Sequence, residues 1–369
     1  MGAAHVLTLS ELAKGALLFG GFVALLFVGS LVLPGSVRAG ALLPDGTRKQ
    51  YKLNGLLLFA VLTVVVAGGT WFHILSLSVV HRYFWSLLVA ANIYAFGLAT
   101  SLYLQGRSAR AEGSRPGGSR VARELRNFYY GTRLNPSWMG VDLKLFSYRP
   151  SLMGLGLLNA SFGYVQWKTY GRISTAMLLY QVFYFLYLAN YFQFEHGMLY
   201  TWDIVAERFG WMLVWGDYVL VPFFYSLPGW YLIDRLQPMP PLYVVGLVVL
   251  YGFGFWLFRG ANEQKHRYKM NPRTRIWGRP AEALGDKLLI SGFWGIGRKL
   301  NYTGELCMYY AWTLPCGFGS VVPYLLPLWL TCFFPHRAWR DEKRCREKYG
   351  ALWTAYCKRA RFRMLPFIY

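Results

Sequence analysis

Apolar residues in this 369-residue chain gather into repeated runs separated by short polar stretches. The first covers residues 13–33, after Ser10-Glu11 as a helix start and before Pro34-Gly35 as its stop. Further runs cover 53–77, 84–104, a shorter 152–166, 174–194 and 241–258. Residues 212–232 form another, interrupted by Asp217, Pro222 and Pro228. The last, 303–334, is long enough for two crossings around Pro315, Gly317, Gly319 and Pro323. About 20 apolar residues in helical conformation cross a bilayer, so the pattern predicts an all-α fold: a polytopic transmembrane helical bundle of about nine or ten spans. The first run is too long for a signal-peptide core and has no small-residue cleavage site, which predicts a retained span.

Charge falls between these runs. Lys and Arg number 39 against 17 Asp and Glu, a formal excess of +22. The basic stretches are 38–52, 105–126, 259–287 and the tail after 334, and counting crossings puts all four on one face. That is the asymmetry of basic loops on the cytoplasmic side, with anionic lipids as their partners. It excludes nucleic acid as the reason for the charge, and nothing in the pattern calls for an obligate protein partner. The stretch 105–126 reads as a soluble loop with no core of its own. The five cysteines form no close CxxC pair and read as free packing thiols. There is no HExxH or Cys/His set for a metal, no GxGxxG after a strand and no GxxxxGK[ST]. Gly292-x-x-Gly295-x-Gly297 reads as helix packing or a turn.

Three polar clusters remain. In the tail, a helix beginning after Pro335 would carry Arg337 and Asp341 on one face, with Arg344 and Lys348 extending it and Tyr349 and Tyr356 seven apart. The second cluster is Lys265, His266, Arg267 and Lys269; the third is Trp294, Arg298, Lys299, Asn301, Tyr302 and Glu305. A solvated helix laced with ion pairs has this appearance too, but cations, an indole and carboxylates beside an apolar hairpin also suit a phosphorylated dinucleotide. Within 174–194, Tyr180, Tyr184, Tyr187 and Tyr191 recur at helical spacing and predict a phenol stripe facing a cavity or neighbouring helices. Residues 128–162 read either as an interfacial segment or as a site mouth lined by Asn135-Pro136 and Asp142-x-Lys144.

These clusters lie in longer motifs: LPDGTRKQYKLNG, RLNPSWMGVDLKLFSYRP, FGWMLVWGDYVLVPFFYSL, ANEQKHRYKMNP, LLISGFWGIGRKLNYTGE, WTLPCGF and the tail from His336. With them the chain after Leu43 resembles the sterol reductase family of membrane enzymes, which includes the delta-14 and delta-7 reductases and the lamin B receptor's membrane domain. The resemblance implies NADPH as cofactor and a sterol entering from the bilayer as substrate, with a C-terminal helical cofactor-binding subdomain. It implies cofactor contacts at Lys265, Lys269, Leu289, Trp294, Glu305, Arg337, Asp341, Tyr349 and Tyr356. Tyr187 takes the place of a phenol facing the sterol, as first proton donor, with Asp341 as alternative or relay partner. Glu305 stands where an Asp is usual, Lys269 where an Arg is common, Asn190 where an Asp is usual, and Arg298-Lys299-Leu300-Asn301-Tyr302 departs from Arg-His-Pro-Asn-Tyr. The implied division is 1–150 for the first spans and basic loop, 151–258 for the sterol-lining helices, and 259–369 for the NADPH half. WTLPCGF leans toward reduction of the C14–C15 bond and FGWMLVWGD toward delta-7. A methyltransferase using S-adenosylmethionine and a non-catalytic sterol-binding scaffold remain as readings of other classes. The implied location is the endoplasmic reticulum membrane in a eukaryote or the inner membrane in a bacterium, with the C-terminus cytoplasmic.

Overall fold

The computed structural model describes residues 7–108 and 119–368. By contact the chain divides into two compact units: Met1–Ile173 with Tyr184–Asp234, and Ser174–Phe183 with Arg235–Tyr369.

In the first unit α1 (Leu9–Val32) begins one residue pair earlier than the Ser10-Glu11 signal suggests. The Thr8 hydroxyl accepts from Glu11 N at 3.2 Å while the Glu11 carboxylate accepts from Thr8 N at 2.9 Å. This reciprocal cap satisfies donors that the first helical turn leaves open. An antiparallel ladder, β1 (Ser36–Ala39) with β2 (Gln50–Leu53), follows, then α2 (Gly55–Trp71), α3 (Ser78–Arg82) and α4 (Phe84–Ser108). α5 (Arg120–Tyr130) is capped by the Ser119 hydroxyl. The stretch 105–126 is therefore helical at both ends and not simply a loop; its middle, 109–118, lies outside the described residues. A short ladder, β3 (Ser137–Trp138) with β4 (Val141–Asp142), leads into α6 (Leu143–Tyr170), 28 residues long where the apolar run has 15. Lys144, Asn159 and Gln166 on α6 are buried, so the helix extends through positions that a hydropathy reading leaves out. α7 (Thr175–Gln193) passes through both units. After α8 (Trp202–Val205) and α9 (Trp211–Trp215) the backbone widens into a π-helical stretch, Gly216–Phe224, before α10 (Leu227–Leu232).

In the second unit α11 (Pro241–Met270) is followed by two hairpin ladders, β5 (Arg275–Ile276) with β6 (Arg279–Pro280) and β7 (Ala283–Leu284) with β8 (Leu288–Leu289). α12 (Phe293–Ile296), α13 (Leu300–Thr313), α14 (Leu325–Tyr349) and α15 (Ala351–Arg359) complete it. Two expectations change here. The basic stretch from Arg259 continues α11 to Met270 before any loop begins. The tail helix does not start after Pro335 but runs through it from Leu325. α11 and α13 cross backbone to backbone: a Cβ at Gly254 would meet Gly304 O at 2.7 Å, and one at Gly304 would meet Gly254 O at 2.6 Å. Only glycines allow that approach.

The chain is thus mostly helical, with a few two-residue to four-residue strands. Three described helices are long and apolar enough to cross a membrane: Leu9–Val32, Phe84–Arg107 and Pro241–Met270; the apolar α2 is shorter. The remaining expected crossings fall on helices that carry buried polar residues or are broken, such as α6 and the segments around Asp217.

Candidate functional site

The second unit gathers most of the expected site residues. Gly292, at φ +60°, turns the chain from β8 into α12 and leaves room for the Gln264 side chain, whose oxygen accepts from Phe293 N at 2.9 Å. Trp294 is thereby set against α11 and donates from its indole nitrogen to Ala261 O at 2.7 Å. The Lys265 ammonium lies 4.5 Å from the Trp294 ring centroid, a cation–π contact. Tyr356 on α15 donates to Trp294 O at 3.2 Å, and burial pushes its phenol above the ordinary value. Leu289 is buried beside Trp294, Tyr268 and Ile276. Tyr349 packs against the cluster of Trp353, Tyr356 and Ala360.

Asp341, half-buried on α14, forms a hydrogen-bonded ion pair with Lys299. Burial alone would raise its carboxyl, but the Lys299 charge and hydrogen bond, with Lys265 and Arg344, hold it below the usual value. Burial would likewise lower Lys299, and Asp341 first among its partners holds it above the usual value. Lys265 interacts electrostatically with Lys299, Lys269 and Asp341, and Lys269 with Lys348 and Lys299. Several ammonium groups thus share one nearby carboxylate. Glu305 on α13 faces the Arg337 charge.

Beneath this cradle Arg298 donates to Glu342 at 2.9 Å and to Ala360 O and Arg361 O at 2.5 and 2.9 Å. Glu342 also accepts from Arg363 at 2.9 Å. The segment after α15 runs parallel to Gly297, with Arg298 N donating to Phe362 O, Lys299 N to Arg363 O and the Thr303 hydroxyl to Met364 O. The end of the chain therefore fixes the backbone that carries Lys299. Sequence reasoning placed Arg298 and Lys299 near the site but missed both pairings, because Asp341 and Glu342 lie more than 40 positions away.

Tyr187 belongs to the other unit, where it is half-buried on α7. That unit holds a second polar cluster, whose residues the sequence offered either as an interfacial segment or as a site mouth, and, around Asp217, as a helix interruption. Arg149 donates to Glu195 at 3.1 and 3.2 Å and to the Ser30 hydroxyl at 2.6 Å, and Glu195 accepts from Gly55 N at 3.0 Å. Lys144, fully buried, donates to Asp203 O and Glu207 O at 2.6 Å each. Asp142 caps α6 through Leu145 N and pairs with Lys49 at 2.6 Å, while the Asn135 amide donates to Ile204 O. The motif expected at a site mouth therefore ties this unit together. Tyr148 donates to the Asp203 carboxylate at 3.3 Å, and its ring centroid lies 6.1 Å from that of Tyr191. Tyr184, on the same stripe, donates to Tyr225 O at 2.6 Å.

A helical membrane protein with an electropositive cradle over an indole is the class these features define. The profile of the Ergosterol biosynthesis ERG4/ERG24 family matches residues 6–369. The chain belongs to that family. It is 40% identical over 349 residues to a Delta(14)-sterol reductase of Arabidopsis thaliana, covering 94% of each chain. Against a Delta(14)-sterol reductase of Methylotuvimicrobium alcaliphilum it is 38% identical, covering 95% of this chain and 83% of that one. A probable 7-dehydrocholesterol reductase of Acanthamoeba polyphaga mimivirus is 32% identical, with 91% and 76% covered.

Proposed function

We propose that this chain is a membrane sterol reductase that reduces the C14–C15 double bond of a sterol with NADPH. The observation that carries the reading is similarity over 94–95% of this chain to Delta(14)-sterol reductases at 38–40% identity, above the 32% to the 7-dehydrocholesterol reductase relative. The cradle suits the cofactor: Lys265, Lys269 and Lys299 crowd together beside Asp341, burial and the neighbouring ammonium groups lower Lys265 to about 7, and a phosphate placed there would favour its charged form. Lys265, Lys269 and Arg337 would hold phosphates, Trp294 and Leu289 an apolar ring face, and Tyr349, Tyr356, Glu305 and Asp341 would fix orientation. NADPH supplies hydride. An isolated alkene accepts hydride poorly, so an acid must protonate it in a site that excludes water. Tyr187 is the proposed acid, with Asp341 the alternative. The sterol reaches the protein sideways from the bilayer, and the C-terminal half, 259–369, faces the cytoplasm, at the endoplasmic reticulum in a eukaryotic cell or the inner membrane in a bacterial one.

The test gives purified protein NADPH with an 8,14-diene sterol and separately with a 5,7-diene, products being read by mass and retention. Conversion of the 8,14-diene is the expected result. Conversion of the 5,7-diene alone would move the reaction to the delta-7 bond, and neither product nor NADPH binding would leave the scaffold or methyltransferase readings. Tyr187→Phe is expected to lose turnover while still binding NADPH.

A further inference from the structure

Protonation by a tyrosine creates a second demand: its oxygen must regain a proton before the next turnover. The polar cluster of the first unit, which reaches α7 one turn from Tyr187, holds groups suited to that task. Tyr191, one turn further along α7, has a buried hydroxyl with no hydrogen-bond partner among the described residues. It interacts electrostatically with Tyr187, Asp217, Glu195 and Arg149. Asp217 is 7% exposed and sits at the start of the π-helical stretch. Widened helical turns of this kind often mark functional positions. Tyr148 interacts with both Asp217 and Tyr191, and its hydroxyl reaches Asp203, whose residue is partly exposed. A hydrogen bond joins the partly exposed Asp203 carboxylate to Tyr148, the Tyr148 ring lies 6.1 Å from that of Tyr191, and Tyr191 stands one helical turn from Tyr187, all inside one compact unit.

Arg149 and Glu195 neutralise each other beside this path, and Lys144 is held by two backbone carbonyls. Asp217 is in no ion pair among the described residues; it interacts electrostatically with Asp203 and with the Lys144 ammonium, and in a relay it would exchange a proton with a phenol. Asn190, on the same helix as Tyr191, bears an amide that cannot take an acid's part.

We propose that Asp203, Tyr148, Asp217 and Tyr191 form a proton relay that returns a proton to Tyr187 after each reduction. The inference rests on the reading of Tyr187 as the acid. In each turnover the Tyr187 O–H bond breaks as a C–H bond forms on one alkene carbon, and the hydride that NADPH supplies forms the C–H bond on the other. The Tyr187 oxygen, left anionic, then takes a proton from Tyr191, which is replenished through Asp217 and Tyr148 from Asp203 and finally from water. The relay residues act through Tyr187 and need not touch the sterol.

The relay separates the first turnover from the rest. In rapid-quench experiments on NADPH-saturated enzyme with the 8,14-diene, Asp217→Asn and Tyr191→Phe should form the first equivalent of product at the wild-type rate. Their steady-state rate should then fall about tenfold or more, with a larger solvent deuterium effect than wild type, and Asp217→Glu should recover most of it. Tyr191→Phe deletes an oxygen that has no hydrogen-bond partner among the described residues, so it tests the relay without removing a hydrogen bond seen there. Wild-type steady-state rates and isotope effects in both variants would overturn the relay, as would equal loss of first and later turnovers in Tyr191→Phe. If Tyr187→Phe keeps the first turnover, the assignment of the acid fails and the relay falls with it. If Tyr187→Phe loses the first turnover while the other variants show no burst, the relay alone fails.

Discussion

Asp341 and Lys299 show how single residues set the behaviour of the cradle. Asp341 is held below its ordinary value, so its contribution is complete above about pH 4 and is lost as pH falls through the lowered value. Lys299 is held above its ordinary value, so its contribution is complete below about pH 10 and is lost as pH rises through the raised value. NADPH affinity, as far as this pair sets it, should be flat from about pH 5 to about pH 9. A step in affinity near neutrality, read by a fluorescence titration, would belong to Lys265, which burial and the neighbouring Lys299 and Lys269 lower to about 7. Lys299→Met should weaken NADPH binding by roughly tenfold, since it removes a cation and leaves Asp341 facing the cofactor's phosphates. Arg298→Met should instead lower stability by about 1–3 kcal/mol, because Glu342 keeps Arg363 but Ala360 O and Arg361 O lose their donor; thermal unfolding in detergent separates the two effects. The residue types of the cradle were legible in the tail and in LLISGFWGIGRKLNYTGE. Their partners were not, because ion pairs such as Asp341–Lys299 join segments that no local period connects.

Among the elements, the closest approach is the Gly254–Gly304 crossing of α11 and α13. Gly304→Leu must push these helices apart and should cost at least about 1–3 kcal/mol, with loss of NADPH binding as α12 and Lys299 shift; melting temperature and binding together check this. The pattern of apolar runs located α1, α2, α4 and α11 well, since hydropathy and helix coincide there. It failed where they part. Residues 259–270 are polar, yet Ala261, Glu263, Gln264 and Lys265 are strong helix formers and carry α11 onward. Pro335 suggests a new start but lies inside α14. Lys144 and Arg149 suggest a membrane boundary, whereas both lie within α6, buried, with partners on other segments. Hydropathy marks where a chain meets lipid, and these helices continue on the strength of backbone hydrogen bonds and protein contacts.

At the scale of the molecule, one of the three places where the chain changes unit falls inside a helix, between Phe183 and Tyr184 on α7, which no composition change in the sequence announces. α11 has a different reach. Its 30 residues extend about 45 Å, while a bilayer's hydrocarbon core is about 30 Å thick. The part beyond the apolar run carries Ala261, Gln264 and Lys265, and α12 hangs from it through Trp294 and Phe293. The rod that meets the lipid is therefore also the mast on which the cradle is rigged. A thinner or thicker membrane tilts or shifts such a helix at modest cost, and that displacement passes to the cradle undamped. NADPH affinity measured in nanodiscs of increasing acyl-chain length should pass through a maximum, and a constant affinity would show that the cradle is uncoupled from its mast. Bilayer thickness would then act on this protein as a dial for cofactor capture.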